Sequence, residues 1–109
     1  MLIESGNQST IKNTVSIKGT GLHCGEAVEV SLKPAPAGTG YLFRRIDLPL
    51  PNEIIADPAK VIDTARATTL AEGMTKVMTV EYILAALYLL AVDNVHIEVD
   101  GSEIPILDG

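Results

Sequence analysis

Met78-Thr79-Val80-Glu81-Tyr82-Ile83-Leu84-Ala85-Ala86-Leu87-Tyr88-Leu89-Leu90-Ala91-Val92 is the longest apolar run in a chain of 109 residues, and it decides the fold class. Val80, Ile83, Leu84, Leu87 and Ala91 recur at i, i+3, i+4 and i+7 intervals, which predicts one apolar helical stripe. The opposite face carries Tyr82, Ala85, Ala86 and Leu89 and is hardly more polar. A helix apolar all round is either buried on every side or awaits a covering partner. Glu81 is the only charge from Thr79 to Val92. A helix N-terminus favours negative charge, so on the helix alone Glu81 reads first as a solvated first-turn residue and only second as a working carboxylate.

Moving outward from the helix, both flanks read as strands. Val95, Ile97 and Val99 alternate with His96 and Glu98, the pattern of a strand with one wet face. Asp100-Gly101 is a turn, and 103–107 a last short strand interrupted by Pro105. Upstream, Thr75 to Met78 is a short strand leading into the helix, and 71–74 a turn. The stretch 57–70 is mixed, with strand character at Val61-Ile62 and at Thr68-Thr69-Leu70. Short strands are expected at 41–46 and 53–56. Residues 27–33 alternate cleanly, with Val28, Val30 and Leu32 facing in, and end at the breaker cluster Pro34-Ala35-Pro36-Ala37-Gly38. They pair antiparallel with a strand at 11–17 across the glycine-rich stretch 19–25. Residues 1–10 are polar and read as a loose, flexible lead-in. Strands on both sides of a helix place the chain in the α+β class.

Composition narrows function by exclusion. A net charge of −6 leaves no basic surplus to pair with phosphates, which argues against nucleic-acid binding. The N-terminus lacks the basic and apolar regions of a signal peptide. The longest uncharged apolar run, 83–92, is far short of the ~20 residues a membrane span needs. A single cysteine, Cys24, excludes an internal disulfide and fits a reducing compartment, so a cytoplasmic location is expected. Metal motifs of the paired-cysteine, zincin and calcium-loop kinds are absent. His23 and Cys24 are neighbours, and in an extended stretch neighbouring side chains point to opposite sides, which is poor geometry for a chelate or a thiol–imidazole pair. Glu81, Asp63 and Asp108 are candidate acid–base carboxylates that spacing alone does not rank.

Eight stretches in order are similar to the N-terminal part of the UDP-3-O-acyl-N-acetylglucosamine deacetylases of lipid A biosynthesis. They are Gly19-Thr20-Gly21-Leu22-His23-x-Gly25, Lys33-Pro34-Ala35-Pro36-Ala37-x-Thr39-Gly40, Phe43-Arg44-Arg45-Ile46-Asp47, Asp63-Thr64-x-x-x-Thr68-x-Leu70, Thr79-Val80-Glu81, Ala85-Ala86-Leu87, Asp93-Asn94-Val95-x-Ile97-Glu98 and Glu103-Ile104-Pro105-Ile106-x-Asp108-Gly109. The resemblance implies a two-domain zinc hydrolase. Each domain is a two-layer sandwich of a mainly antiparallel sheet with two helices, and the helices of the two domains pack face to face. It implies that 11–109 is an incomplete first domain with one long helix, whose second helix would begin at Asp108-Gly109. It makes Glu81 the general base acting on zinc-bound water. It places His23, Asp63, Thr64, Arg66 and Thr68 along the UDP-acyl-sugar cleft.

The family's zinc histidine follows the glutamate, and here that position is Tyr82. A phenol with a pKa near ~10 is a poor zinc ligand at neutral pH. The remaining ligands in the family come from the second domain. Position 78, a helix-capping serine in the family pattern, is Met78; position 24, usually threonine, is Cys24; and Tyr88-Leu89-Leu90 stands in a glycine-rich segment. The expectation is a chain that binds no zinc by itself and is inactive alone. The alternative is a non-catalytic module that docks a partner, or a second copy, through helix 79–91.

Overall fold

The computed structural model describes residues 2–5, 7–63 and 67–106, with side chains from 7 onward except at 63. Its elements in order are β1 (Leu2–Ser5), β2 (Gln8–Ile11), β3 (Val15–Thr20), β4 (Ala27–Pro34), β5 (Tyr41–Arg45), β6 (Glu53–Ile55), a 3-10 turn (Pro58–Lys60), β7 (Val61–Asp63), β8 (Thr68–Glu72), β9 (Thr75–Met78), α1 (Glu81–Leu89) and β10 (Val95–Val99). Strands on one layer and a helix on the other make it α+β, as the pattern predicts.

The two cleanest alternating stretches build the centre of the main sheet. Its order is β3-β4-β10-β5-β6. β10 runs antiparallel to β4 and parallel to β5, and β3 pairs antiparallel with β4 as the alternation predicts. Val95, Ile97 and Val99 are fully buried on the inner face, with Val28 and Val30 beside them. Phe43 and Ile54 extend that face across β5 and β6. On the outer face Glu98 bridges Lys33 at 2.8 Å and Arg44 at 3.1 Å, so charge covers the wet side of the sheet. A second, antiparallel sheet, β7-β8-β9, sends Leu70 and Val77 into the same core.

The helix lies over this core through Val80, Ile83 and Leu87 of the predicted stripe, with Leu84 partly buried, while Ala91, also expected on that stripe, is exposed beyond the helix end. It is shorter than the sequence suggests, Glu81–Leu89 rather than 79–91. Both ends have a physical cause. Thr79 takes a left-handed φ of 61°, so no helical backbone precedes Val80, which is the N-cap. At the other end Ala91 takes φ 59°, and the amides of Ala91 and Val92 bond back to the carbonyls of Tyr88 and Leu87, both at 3.0 Å. That pair of bonds is the Schellman motif, closed by buried Val92 against buried Leu87. Met78 belongs to β9 and therefore stands outside any capping position, so the capping-box reading of residue 78 does not apply.

Three further expectations change. Residues 1–10, read as a loose lead-in, carry β1 and most of β2, which form an antiparallel hairpin. Ser9 ties it down: its amide bonds Asp93 Oδ2 at 2.9 Å, its carbonyl accepts from Asn94 at 3.0 Å, and its hydroxyl bonds the Ala91 carbonyl. The single strand expected at 11–17 is broken at Lys12–Thr14 into β2 and β3. Glu103 and Ile106 make only isolated bridges, to Met78 and Thr20, instead of a strand. Asp108 and Gly109 lie outside the described residues.

Candidate active site

Glu81 opens α1 because the left-handed turn at Thr79 redirects the chain out of β9. Two bonds fasten it to the start of β8. The Val80 amide donates to the Thr68 carbonyl at 3.2 Å, and the Thr68 amide donates to Glu81 Oε1 at 3.4 Å. Strand pairing sets Asp63 opposite Thr68. Three of the sequence-derived site residues, Glu81, Thr68 and Asp63, thus converge on one place by backbone geometry. The side chain of Asp63, and Thr64 and Arg66 altogether, lie outside the described residues.

His23 reaches this region through a residue that sequence reasoning passed over. The segment 102–106 threads between β9 and the end of β3: Met78 bonds the Ser102 carbonyl at 2.8 Å, Ile104 bonds the Met78 carbonyl at 3.0 Å, and Ile106 bonds the Thr20 carbonyl at 3.2 Å. Glu103 is thereby buried completely. Its Oε1 accepts the amides of His23 at 3.0 Å and Cys24 at 2.8 Å, and its Oε2 accepts the Thr79 hydroxyl at 2.5 Å. Burial pushes the Glu103 carboxyl up, and the Thr79 hydroxyl with the Cys24 and His23 donors outweighs it, holding the group below the usual carboxylate range. The loop packs so closely that a Cβ on Gly21 would sit 2.6 Å from Glu103 Oε1 and 2.4 Å from Cys24 Sγ. Only glycine fits there.

Because 22–24 is a turn, the amides of His23 and Cys24 both face Glu103, rather than alternating as in an extended stretch. The Nε2 of His23 is buried and has no hydrogen-bond partner among the described residues. Buried polar atoms of this kind are uncommon in folded proteins and mark positions where a ligand group would find an acceptor or donor. Beside the loop lies an open cleft of about 600 Å³ along Lys18, Gly19, Thr20, Gly21, Leu22, Gly25 and Ile106.

Tyr82 is 69% exposed on the outer side of the helix. Among the described residues no three His, Cys, Asp or Glu side chains come together as a metal site. The helix is also far too short to cross a membrane, and among the described residues no helix is long and apolar enough to do so. The exposed side of α1 is apolar, with Tyr88 and Leu89 about four-fifths exposed.

The arrangement is a carboxylate on a helix start, docked on a strand amide and tied through Thr79 and Glu103 to a glycine-rich loop with an orphaned imidazole nitrogen. Comparison with known proteins gives the same lineage. A family model described as "LpxC: UDP-3-O-acyl N-acetylglycosamine deacetylase" matches residues 8–109. The UDP-3-O-acyl-N-acetylglucosamine deacetylase of Thioalkalivibrio sulfidiphilus is 51% identical over 102 residues, which is 94% of this chain and 34% of the relative. That of Pseudomonas entomophila is 50% identical over the same shares, and that of Citrifermentans bemidjiense 42% identical, covering 94% and 33%. The chain spans about a third of the length of the relatives it matches. On this match over nearly its whole length, the chain belongs to the UDP-3-O-acyl N-acetylglycosamine deacetylase family.

Proposed function

We propose that the chain is an N-terminal portion, or a variant of it, of a zinc-dependent deacetylase that removes the N-acetyl group of a UDP-3-O-acyl-N-acetylglucosamine in lipid A biosynthesis. In this reading Glu81 is the general base, and His23, Thr68, Asp63, Thr64 and Arg66 line the sugar-nucleotide cleft. The observation that carries it is the direct docking of Glu81 on Thr68, with His23 joined to the same place through Glu103 and Thr79. Attack on an amide carbonyl needs a base held at a fixed angle, and a carboxylate anchored at the first turn of a packed helix meets that need. Zinc in the longer protein is then held mainly by residues this chain does not carry. With Tyr82 in the histidine position, the isolated chain is inactive and takes up no stoichiometric zinc.

The test uses the purified 109-residue chain beside Tyr82→His, in zinc titration calorimetry, a deacetylation assay and NMR with UDP-3-O-acyl-N-acetylglucosamine. The expected result is no turnover by either protein, and amide shifts at His23 and Thr68 when the sugar nucleotide is added at millimolar concentration. Turnover by either form overturns the inactivity, and an unmoved spectrum overturns the cleft assignment. A second reading, a module that docks a partner or another copy through α1, is favoured by the exposed Tyr82, Tyr88 and Leu89. Sedimentation of a discrete, well-folded dimer supports that reading.

A further inference from the structure

We propose that Glu103 is a positioning residue, whose buried carboxylate holds Thr79 in the left-handed region and by that hold keeps Glu81 docked on Thr68. The proposal rests on the reading of Glu81 as the site's working carboxylate. Thr79 is β-branched and has φ 61°, a conformation such residues adopt only when their surroundings enforce it. The surroundings here are specific. The Thr79 hydroxyl donates to Glu103 Oε2 at 2.5 Å, and the residues on either side of the kink are pinned by backbone bonds, Met78 to Ser102 and Ile104, and Val80 to Thr68. If Thr79 relaxes to negative φ, the peptide after it turns, and Val80 and Glu81 leave the edge of β8.

The group at 103 also has to be an acceptor. Its partners here all donate to it: the amides of His23 and Cys24 and the hydroxyl of Thr79. A carboxylate has two acceptor oxygens for them; an amide could meet the same three groups only by turning its NH₂ to the Thr79 oxygen, which accepts as well as donates, whereas an apolar side chain leaves all three donors unmet. Complete burial excludes water as a substitute acceptor. One carboxylate oxygen takes both loop amides and the other takes the Thr79 hydroxyl, so the loop and the helix start share one anchor. Any displacement of the carboxylate is felt by both.

The experiment is solution NMR on the full 109-residue chain, comparing the native protein with Glu103→Leu, Thr79→Val, Thr79→Gly and the double variant Glu103→Leu/Thr79→Gly. Two signals are read: the strong intraresidue amide–Hα cross-peak that positive φ gives at position 79, and the cross-peak between the Thr68 amide and the Glu81 side chain. Both are expected in the native chain. Glu103→Leu is expected to lose both while the core signals of Phe43 and Ile97 persist, with exchange of the Val80 amide faster by about tenfold or more. Thr79→Val removes the hydroxyl and leaves Glu103 its two amide donors, so it decides the matter if Glu103→Leu does not fold; it too should lose both signals. Glycine takes positive φ without being held. Thr79→Gly should therefore keep the Thr68–Glu81 cross-peak, and in the double variant it should restore it. A Glu103 that served stability alone would not be rescued by a glycine at 79. Retention of both signals in Glu103→Leu or Thr79→Val, or failure of glycine to restore the Thr68–Glu81 contact, overturns the proposal. The readout is geometry rather than turnover, so a chain that behaves this way yet ignores the sugar nucleotide refutes the deacetylase cleft and leaves the role of Glu103 standing.

Discussion

Replacing Ala91 with glycine should stabilise the chain, and replacing Ala85 with glycine should destabilise it. Ala91 is the residue after the helix and sits at φ 59°. There a Cβ crowds the following carbonyl, at a cost of about 1–2 kcal/mol that glycine does not incur. Glycine adds freedom to the unfolded chain worth about 0.4–1 kcal/mol in the other direction. The alanine methyl is exposed and contributes no core packing, and the two 3.0 Å bonds that close the cap are backbone bonds that glycine keeps. The net expectation for Ala91→Gly is a gain of about 0.5–1 kcal/mol, or roughly 3–6 °C in Tm for a domain of this size. Ala85 lies mid-helix and is exposed too, so Ala85→Gly should cost about 1 kcal/mol from helix propensity. The same chemical change thus carries opposite signs at two exposed positions, one inside the helix and one in the turn that caps it. Urea unfolding followed by circular dichroism at constant m-value measures both. A destabilised Ala91→Gly, or equal effects at the two sites, would refute the assignment of a left-handed cap at 91.

Gly21→Ala should cost about 1–3 kcal/mol, because its Cβ would stand 2.4 Å from Cys24 Sγ and 2.6 Å from Glu103 Oε1. Combining it with Cys24→Ala should recover only part of the loss, since the Glu103 contact stays, and full recovery in thermal melts would contradict that geometry. Stability should also fall in acid. Lys33 holds the Glu98 carboxyl low, against burial and with Arg44 assisting, and Glu103 is held low by its donors despite burial. Groups whose folded pKa lies below the unfolded value of about 4.3 stabilise the fold above that pH, and lose that contribution as pH falls through the folded value. Denaturant midpoints measured from about pH 6 down to about pH 3 should therefore drop steeply below about pH 4, and a flat profile would count against both carboxylates.

Much of the sheet was legible because hydrophobic alternation survives wherever one face is buried. Val28 and Val30, and Val95, Ile97 and Val99, stand where the period of two puts them. The hairpin β1–β2 was not legible. Ser9 and Asn94 hold it with side-chain and backbone hydrogen bonds, so its strands need no apolar pattern to declare them. Helix length was overestimated because apolar residues run on past Leu89, while the left-handed residues that end the helix are an alanine and a threonine rather than a glycine. In the site, Glu81, Thr68 and His23 came from motif resemblance, and the structure supplies the bonds that join them. Glu103 was quoted as part of a motif but given no role. A charge two residues before a proline in a short apolar run looks like a surface residue, and the amide donors that hold it come from a loop 80 residues earlier in the chain.

The place of β10 in the sheet has a consequence for the order of events in synthesis. β4 and β5 do not touch as a pair; the strand between them, Val95–Val99, is the last strand among the described residues. A nascent chain therefore emerges with two hairpin-like halves, β3–β4 and β5–β6, that have no edge to share until residue 99 has left the ribosome. Ring closure over such spans is slow relative to hairpin formation. For that interval the inner faces carrying Val30 and Phe43 stand open, and folding of the whole sheet is set by the arrival of five residues.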